Sequence, residues 1–531
     1  MSQKMERDVK LFLGLVLMIF SAGAMADEYY YLVDSGMDDP SAAHYPTADA
    51  ACRAVYSSDV SGHAAPSGFD TPLPYAPPTL VLSIPPKYES WACDVSWISS
   101  EDGEGYTRDH SVTRYGDNCT AAQSYNPLTG YCESLDKEQE RKELGHVTNP
   151  VSVGFTLCGD PVNPANGNVF ESETDYADQD GELRFERSYN SRDNGAWATT
   201  LDTRLYPDTS TQSKGAVLRF SDGRTAPFVT KGGVLVPDGG ELGSLVKTSN
   251  GWVYSSQLNE QMTFNTAGQL VRYQRADGRA TTVSYASLSA YDTAMTVTDS
   301  LGHKMVYTTH LGAPQSLVVG NLTVDYILDA SYQLTGVKKT WPGHSTTRSY
   351  LYEDTAQPRL LTGVVDERGV RASTWAYDTN HRAKSSAMAG GKGAYTFVYN
   401  ADGSTTVTSS LGHPVVYRFD IVQGAKRITA IEGEPVAGCP ASNSTFTYTA
   451  NAQLDSRTDA VGNKTAFTYD SLGRETTRVE AKGTAEERTT TTNWDGTSFR
   501  PAAVTTPDRV TTYTYDAQGR LLSTKIHSAK E

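Results

Sequence analysis

The last half of the sequence repeats an aromatic residue followed by an acidic or amide residue, and this recurrence constrains the fold more than any other feature. The clearest copies are Tyr377-Asp378, Tyr469-Asp470 and Tyr515-Asp516. The last two continue as Tyr469-Asp470-Ser471-Leu472-Gly473-Arg474 and Tyr515-Asp516-Ala517-Gln518-Gly519-Arg520. Weaker copies are Phe264-Asn265, Tyr352-Glu353, Tyr399-Asn400, Phe419-Asp420 and Trp494-Asp495. With Tyr285, Tyr307, Tyr326 and Tyr448 they make twelve anchors, spaced 19 to 29 residues apart. A period this short requires one small supersecondary unit stacked many times. It argues against a compact enzyme.

The unit reads as a β-hairpin. One turn signal follows the anchor, as in Asp470-Ser471-Leu472-Gly473. A second falls between anchors, as in Asp299-Ser300-Leu301-Gly302, Asp366-Glu367-Arg368-Gly369, Ser409-Ser410-Leu411-Gly412 and Asp459-Ala460-Val461-Gly462. Asp or Ser at the first position caps the turn, and Gly at the fourth accepts positive φ. Between turns run alternating β-formers such as Lys464–Tyr469 and Val510–Tyr515, with aromatics on one face and Thr or Lys on the other. The anchor tyrosines Tyr285, Tyr307, Tyr326, Tyr352, Tyr377, Tyr399, Tyr448, Tyr469 and Tyr515 are expected to stack as a ladder, with each following Asp tying down its turn. The expected fold is mainly β: a ribbon or spiral of antiparallel hairpins behind a small disulfide-stapled α+β module.

A hydrophobic content of 38% suits a thin twisted sheet better than a thick core. The formal net charge is -16 with no basic run, which argues against a nucleic-acid partner. Lys4, Arg7 and Lys10, the apolar run Leu11–Phe20 and Ala24-Met25-Ala26 have the layout of a signal peptide cleaved after Ala26. About ten apolar residues are too few to span a bilayer, so no stable membrane span is expected. The chain is expected to be exported: secreted, periplasmic or on the cell surface.

Six cysteines follow, Cys52, Cys93, Cys119, Cys132, Cys158 and Cys439. An even number behind a signal peptide implies disulfides. The expected pairs are Cys52–Cys93 and Cys119–Cys132, leaving Cys158–Cys439. Residues 27–135 form a cysteine-containing module with a strand at Glu28–Val33 and a helix at Thr47–Tyr56. A proline-rich loop over 66–86 and a hairpin from Ser90–Ile98 and Gly105–Tyr115 follow. Residues 136–157 read as a charged linker helix.

Beyond this lie Cys158-Gly159-Asp160-Pro161-Val162, Gly167-Asn168, and Arg187-Ser188-Tyr189-Asn190-Ser191. This run resembles the domain that precedes the repeats of Rhs proteins. Together with the Tyr-Asp copies, residues 158 to 527 resemble an Rhs/YD-repeat protein, with a leading β domain at 158–250 and repeats at 251–527. The resemblance implies a spiral of hairpins closing into a hollow shell around a C-terminal toxin. The Asp-Pro-x-Gly-Leu segment of that family is not found here; Asp39-Pro40 and Asp160-Pro161 do not continue that way. A truncated form is therefore expected, without the shell-closing segment or toxin.

No catalytic residues, cofactor or metal are expected. His303 and His413 each follow Leu-Gly in equivalent turns, which marks them as repeat positions. Asp34-Ser35-Gly36 lacks the second copy that an aspartic-protease dyad needs. Asp175, Asp178, Asp180 and Glu182 flank Gly181, but the bidentate Glu of a calcium loop is missing, and a solvated turn is the expected reading. Two functions follow. One is an exported, non-enzymatic scaffold, the shell portion or relic of a toxin-delivery protein, completed by a second polypeptide or carrying a toxin or cargo domain. The other is a secreted or surface adhesion protein whose 31 tyrosines contact glycans. An unpaired edge strand is expected near Tyr513 to Leu522, where Val510–Tyr515 has no proline or inward charge to protect it and another chain adds by strand pairing.

Overall fold

The computed structural model describes residues 162–529, apart from 194, 208–214, 239 and 434–442, and parts of 30–145 ahead of them. The expected signal segment through Ala26 and Asp34-Ser35-Gly36 lie outside the described residues. So do Cys119, Cys158 and Cys439, and the side chain of Cys132. The chain divides into two compact units, residues 1–138 with 207–214, and 139–206 with 215–531.

The first unit is α+β. A helix, Ala48–Gly62, accompanies a four-stranded sheet in the order Tyr30–Val33, Ser111–Tyr115, Tyr88–Ala92, Thr79–Ile84. A second sheet joins Thr71–Pro72, Val95–Ile98 and Gly105–Arg108. Cys52 on the helix and Cys93 form a disulfide, packed with Ala51 and Val112. A second cluster gathers Val55, Val95 and Trp97 against Phe69 and Tyr106. The hairpin expected over 90–115 is one long hairpin shared between both sheets, bridged where Cys93 N donates to His110 O at 2.8 Å. The proline-rich segment is corrected in part. Thr79–Ile84 pairs with Tyr88–Ala92, because its six residues contain no proline and every backbone N–H is free to join the ladder.

The second unit is dominated by one antiparallel sheet of 26 strands, from Ser244–Thr248 to Leu521–Ser528, in strict sequence order. Ahead of it, Phe170–Ala177, Arg184–Asn190 and Ala196–Thr199 form a three-stranded sheet. Arg204–Pro207, Gly215–Arg219, Thr225–Lys231 and Val234–Pro237 form a four-stranded one. One face of the long sheet is apolar. Tyr285, Met295, Tyr307, Leu317 and Val324 face one another across successive strands, and Phe397, Val407 and Val415 do the same further on. The period-two alternation puts these residues on the buried side and the intervening Thr, Ser and Lys on the other.

Two details depart from the sequence reading. Phe419-Asp420 is not a turn but the middle of the strand Pro414–Val422, and the reversal comes at Gln423-Gly424. Val510–Tyr515 is not an edge. It lies in Arg509–Tyr515, paired on one side with Pro501–Thr505 and on the other with Leu521–Ser528. Leu521–Ser528 alternates β-formers after the Asp516–Arg520 turn, so it folds back as one more strand.

The ribbon also curls onto itself. The turn carrying Phe499 and Arg500 rests on earlier turns: Phe499 N donates to Asn259 Oδ1 at 2.8 Å, and Arg500 to Ala276 O at 3.3 Å. The turn at Gly473 meets Leu242.

Candidate functional site

The repeated residues build a self-contained lock. In the Asp470 turn, Oδ1 accepts the N–H groups of Leu472 at 2.9 Å and Arg474 at 3.0 Å. Gly473 N donates to Asp470 O with φ +79°, a conformation that glycine reaches without strain. Arg474 returns to Asp470 Oδ2 at 2.7 Å. Asp378 with Arg382 and Asp516 with Arg520 repeat the arrangement. The arginine of the motif is therefore part of the turn, a role that the sequence reading did not assign.

The aromatic residue makes a longer connection. Tyr285, Tyr377, Tyr399, Tyr448, Tyr469 and Tyr515 each donate the hydroxyl to a backbone carbonyl 14 to 20 residues earlier, at 2.6–2.9 Å. Trp494 does the same through its indole N–H at 3.0 Å. Burial pushes the hydroxyls of Tyr285 and Tyr448 up to about 12. They remain neutral donors at any ordinary pH.

Tyr326 and Tyr352 turn to the domain ahead of the repeats instead. Arg187, 1% exposed, holds Asp175 through Nε at 2.6 Å and Nη2 at 3.0 Å. The same Nη2 donates to Tyr350 Oη at 2.9 Å, and Tyr326 donates to Asp175 Oδ2 at 2.9 Å. The guanidinium lies over the rings of Trp197, Tyr350 and Tyr326. Burial pushes the Tyr326 hydroxyl well up, and the Asp175 charge adds to the effect. Trp197 donates to Tyr352 Oη at 3.1 Å. The Tyr307 ring packs tilted against Phe185, centroids 4.9 Å apart.

The other named residues of the Arg-x-Tyr-Asn-Ser run, Tyr189, Asn190 and Ser191, are hydrogen-bonded as well. Tyr189 Oη accepts Leu361 N at 2.8 Å. Asn190 Oδ1 accepts Gly145 N and Asn168 Nδ2, both at 2.8 Å, and its Nδ2 donates to Asp222 O at 2.7 Å. Ser191 Oγ accepts Val169 N at 2.9 Å. Gly167, at φ +75°, leaves the room in which its carbonyl accepts Ala383 N at 3.0 Å; a Cβ there would sit 2.5 Å from Tyr399 Oη.

The acidic group around Gly181 is divided among separate partners. Asp175 belongs to Arg187. Asp178 accepts Glu182 N and Leu183 N, and Glu182 accepts Ser300 N and Oγ. Among the described residues no three His, Cys, Asp or Glu side chains are placed to hold a metal ion, and no helix is long and apolar enough to cross a membrane. His303 Nδ1 lies 2.7 Å from Asp299 Oδ2 in its turn.

Hairpins in chain order, seven of them locked to an earlier strand by an aromatic O–H or N–H, define a β-hairpin repeat protein. A model described as RHS Repeat matches residues 443–485 and 494–530, and one described as a domain of unknown function, DUF6531, matches 159–228. The chain thus carries RHS (YD) repeats over 443–485 and 494–530, behind a DUF6531 region at 159–228. No curated protein matches it. Among solved structures, it is similar to TcdB2-TccC3 without its hypervariable C-terminal region, at 11% identity over 65% of this chain and 19% of that one, with a TM-score of 0.31. It is similar to TcdB2-TccC3 at 10% identity over 82% and 23%, TM-score 0.31. It is also similar to the Photorhabdus luminescens Tc holotoxin pore at 11% identity over 65% and 23%, TM-score 0.26. The chain spans about a fifth of the length of these structures.

Proposed function

We propose that this protein is an exported, non-enzymatic Rhs-type scaffold whose ribbon is extended by a second polypeptide at the edge of Leu521–Ser528. One observation carries the scaffold reading. The residues that recur are engaged in holding the fold: Asp caps its turn, Arg pairs with that Asp, and the aromatic residue bonds the previous repeat. A glycan-binding role would need other residues, since six of the nine ladder hydroxyls already have backbone acceptors. The extension reading rests on Leu521–Ser528, which pairs with Arg509–Tyr515 on one side and leaves Leu521, Leu522 and Ile526 exposed. An unpaired edge is a template for strand addition, and the added chain is the carrier of any toxin or cargo.

Mixing the chain with the product of the adjacent open reading frame and measuring mass by light scattering tests the extension. A one-to-one complex is expected, and a chain that stays monomeric with that product contradicts it. Export is tested by N-terminal sequencing of the extracytoplasmic protein, expected to begin at Asp27. A chain retaining Met1 overturns that part.

A further inference from the structure

Alternate turns of an antiparallel ribbon fall on the same edge. On one edge of this ribbon, turns rest on earlier segments of the chain. Leu205 N donates to Gly268 O at 2.9 Å in the turn after Gln261–Phe264, and Arg192 donates to Asn380 O at 2.6 Å in the turn after Arg371–Tyr377. The turn at Gly473 meets Leu242, and the turn at Phe499 meets Asn259. Three consecutive turns on the same edge, at 288–291, 311–312 and 329–332, have a different character. They carry Leu288, Tyr291, Leu311 and Tyr332, which are 62%, 63%, 58% and 56% exposed.

The three turns form one surface. Strand spacing sets same-edge turns about 10 Å apart. Leu311 N donates to Tyr291 O at 2.8 Å, and the Tyr291 ring lies against His310 with centroids 6.3 Å apart.

Two of the four side chains are held at a cost to the backbone. Tyr332 is the fourth residue of its turn, where later repeats have Gly473 and Gly519, and its φ is +60°. Its N–H donates to Asp329 O at 3.0 Å, as Gly473 N does to Asp470 O. Leu311 stands at φ +50° before Gly312. Glycine enters this region without strain and asparagine tolerates it, but a bulky side chain does so rarely. Both side chains are more than half exposed, so burial in the fold does not offset the strain.

The surroundings define the kind of partner. Residues 287–292, 310–313 and 328–333 include Asp292 and Asp329 and no Lys or Arg. Ser289 Oγ and His310 Nδ1 bond the Asp292 carboxylate at 2.6 and 2.8 Å and hold it below the ordinary 3.8. A second copy, itself at a net charge of -16, would bring like charge to like. Four side chains also fall short of the about 800 Å² per partner of a standard interface, which suits a short segment better than a folded copy.

We propose that this three-turn edge is a docking site for a short segment of another protein, with aliphatic or aromatic side chains that cover the Leu and Tyr residues and flanking Lys or Arg that face the two aspartates. The site is built by residues 288–332 alone and is independent of strand addition at Leu521–Ser528.

The probe is a fluorescent octapeptide alternating Lys with Leu and Trp, titrated against the whole chain by anisotropy. Versions with Glu for Lys, or Ser for Leu and Trp, are expected to bind at least about 10-fold more weakly. Leu311→Asn with Tyr332→Gly is expected to weaken binding of the Lys peptide by about 10-fold or more, while melting no lower than the parent, because both substitutions relieve a positive φ. Leu288→Ser with Tyr291→Ser, which leaves those two positions untouched, is expected to give a similar loss. Equal binding by either double variant, equal binding of the Glu peptide, or no binding of the Lys peptide overturns the site. A lower melting temperature for Leu311→Asn with Tyr332→Gly assigns those side chains to the fold and also overturns it. A dimer seen by light scattering and lost in both double variants makes a second copy the occupant and overturns the proposed partner.

Discussion

Replacing Asp175 by alanine strikes the point where the domain ahead of the repeats is fastened to the ribbon. Asp175 accepts two bonds from Arg187 and one from Tyr326, and Lys339 lies 3.6 Å away. Both members of the pair are buried, so the variant leaves a guanidinium without its counter-charge. Breaking a buried ion pair from one side costs about 3–5 kcal/mol. The Tyr326 hydroxyl also loses its acceptor, at about 1–3 kcal/mol for an unpaired buried group. The two losses share one site, and about 4–6 kcal/mol in all is expected. Arg187→Met in the same background removes the stranded charge and supplies an apolar side chain of similar length. The double variant is therefore expected to be more stable than D175A alone, by about 2 kcal/mol or more. Repeat arrays lose cooperativity, so urea unfolding is best read locally, by amide exchange in Leu322–Leu328 and His344–Leu351. A D175A loss below about 1 kcal/mol, or a double variant no more stable than D175A, refutes the reasoning.

Tyr469→Phe removes one lock and is expected to cost about 0.5–1.5 kcal/mol in urea unfolding of the repeat region; no change contradicts the lock. Gly473→Ala combines φ +79° with a Cβ 2.7 Å from Leu242, whereas Gly462→Ala at φ +93° meets nothing within 4 Å, so the first is expected to be the more destabilising in thermal melts. Burial raises the carboxyls of Asp299, Asp378 and Asp470, but hydrogen bonds from the turn N–H groups and from His303, Arg382 and Arg474 outweigh it and hold them below the ordinary 3.8. Their stabilisation is present above pH 3.8 and lost as pH falls through the lower folded values; circular dichroism across that window is expected to show the ribbon weakening, and a flat profile contradicts it. Reducing Cys52–Cys93, 41 residues apart, is expected to destabilise the first unit by about 4 kcal/mol, read by its denaturation with and without reductant.

The hairpin unit was legible because its signals are local. Asp470 and the backbone it caps lie within four residues, and Gly473 marks the left-handed turn on its own. The acceptor of an anchor hydroxyl was not legible, because it sits in the preceding repeat and depends on a register shift that composition does not encode. Asp175 was grouped with its sequence neighbours Asp178 and Asp180. Its partners are Arg187, twelve residues on, and Tyr326, 151 residues on, and only packing brings these together. Phe419-Asp420 matched the motif in letters, but no capping geometry follows Asp420, and Gly424 supplies the turn instead. The Arg-x-Tyr-Asn-Ser run was recognised as a pattern, while the work of Asn190 as a hub between Gly145, Asn168 and Asp222 became visible only in three dimensions.

Site-resolved amide exchange over Arg509–Ser528 in the isolated chain tests the central claim most directly. Amides of Val510–Thr512, in a stretch paired on both sides, are expected to be protected throughout. In Leu521–Ser528 protection is expected to alternate, the inward N–H groups slow and the outward ones fast. Uniformly slow exchange along Leu521–Ser528 in a monomeric sample means that the edge is already covered, and contradicts an edge waiting for a second chain.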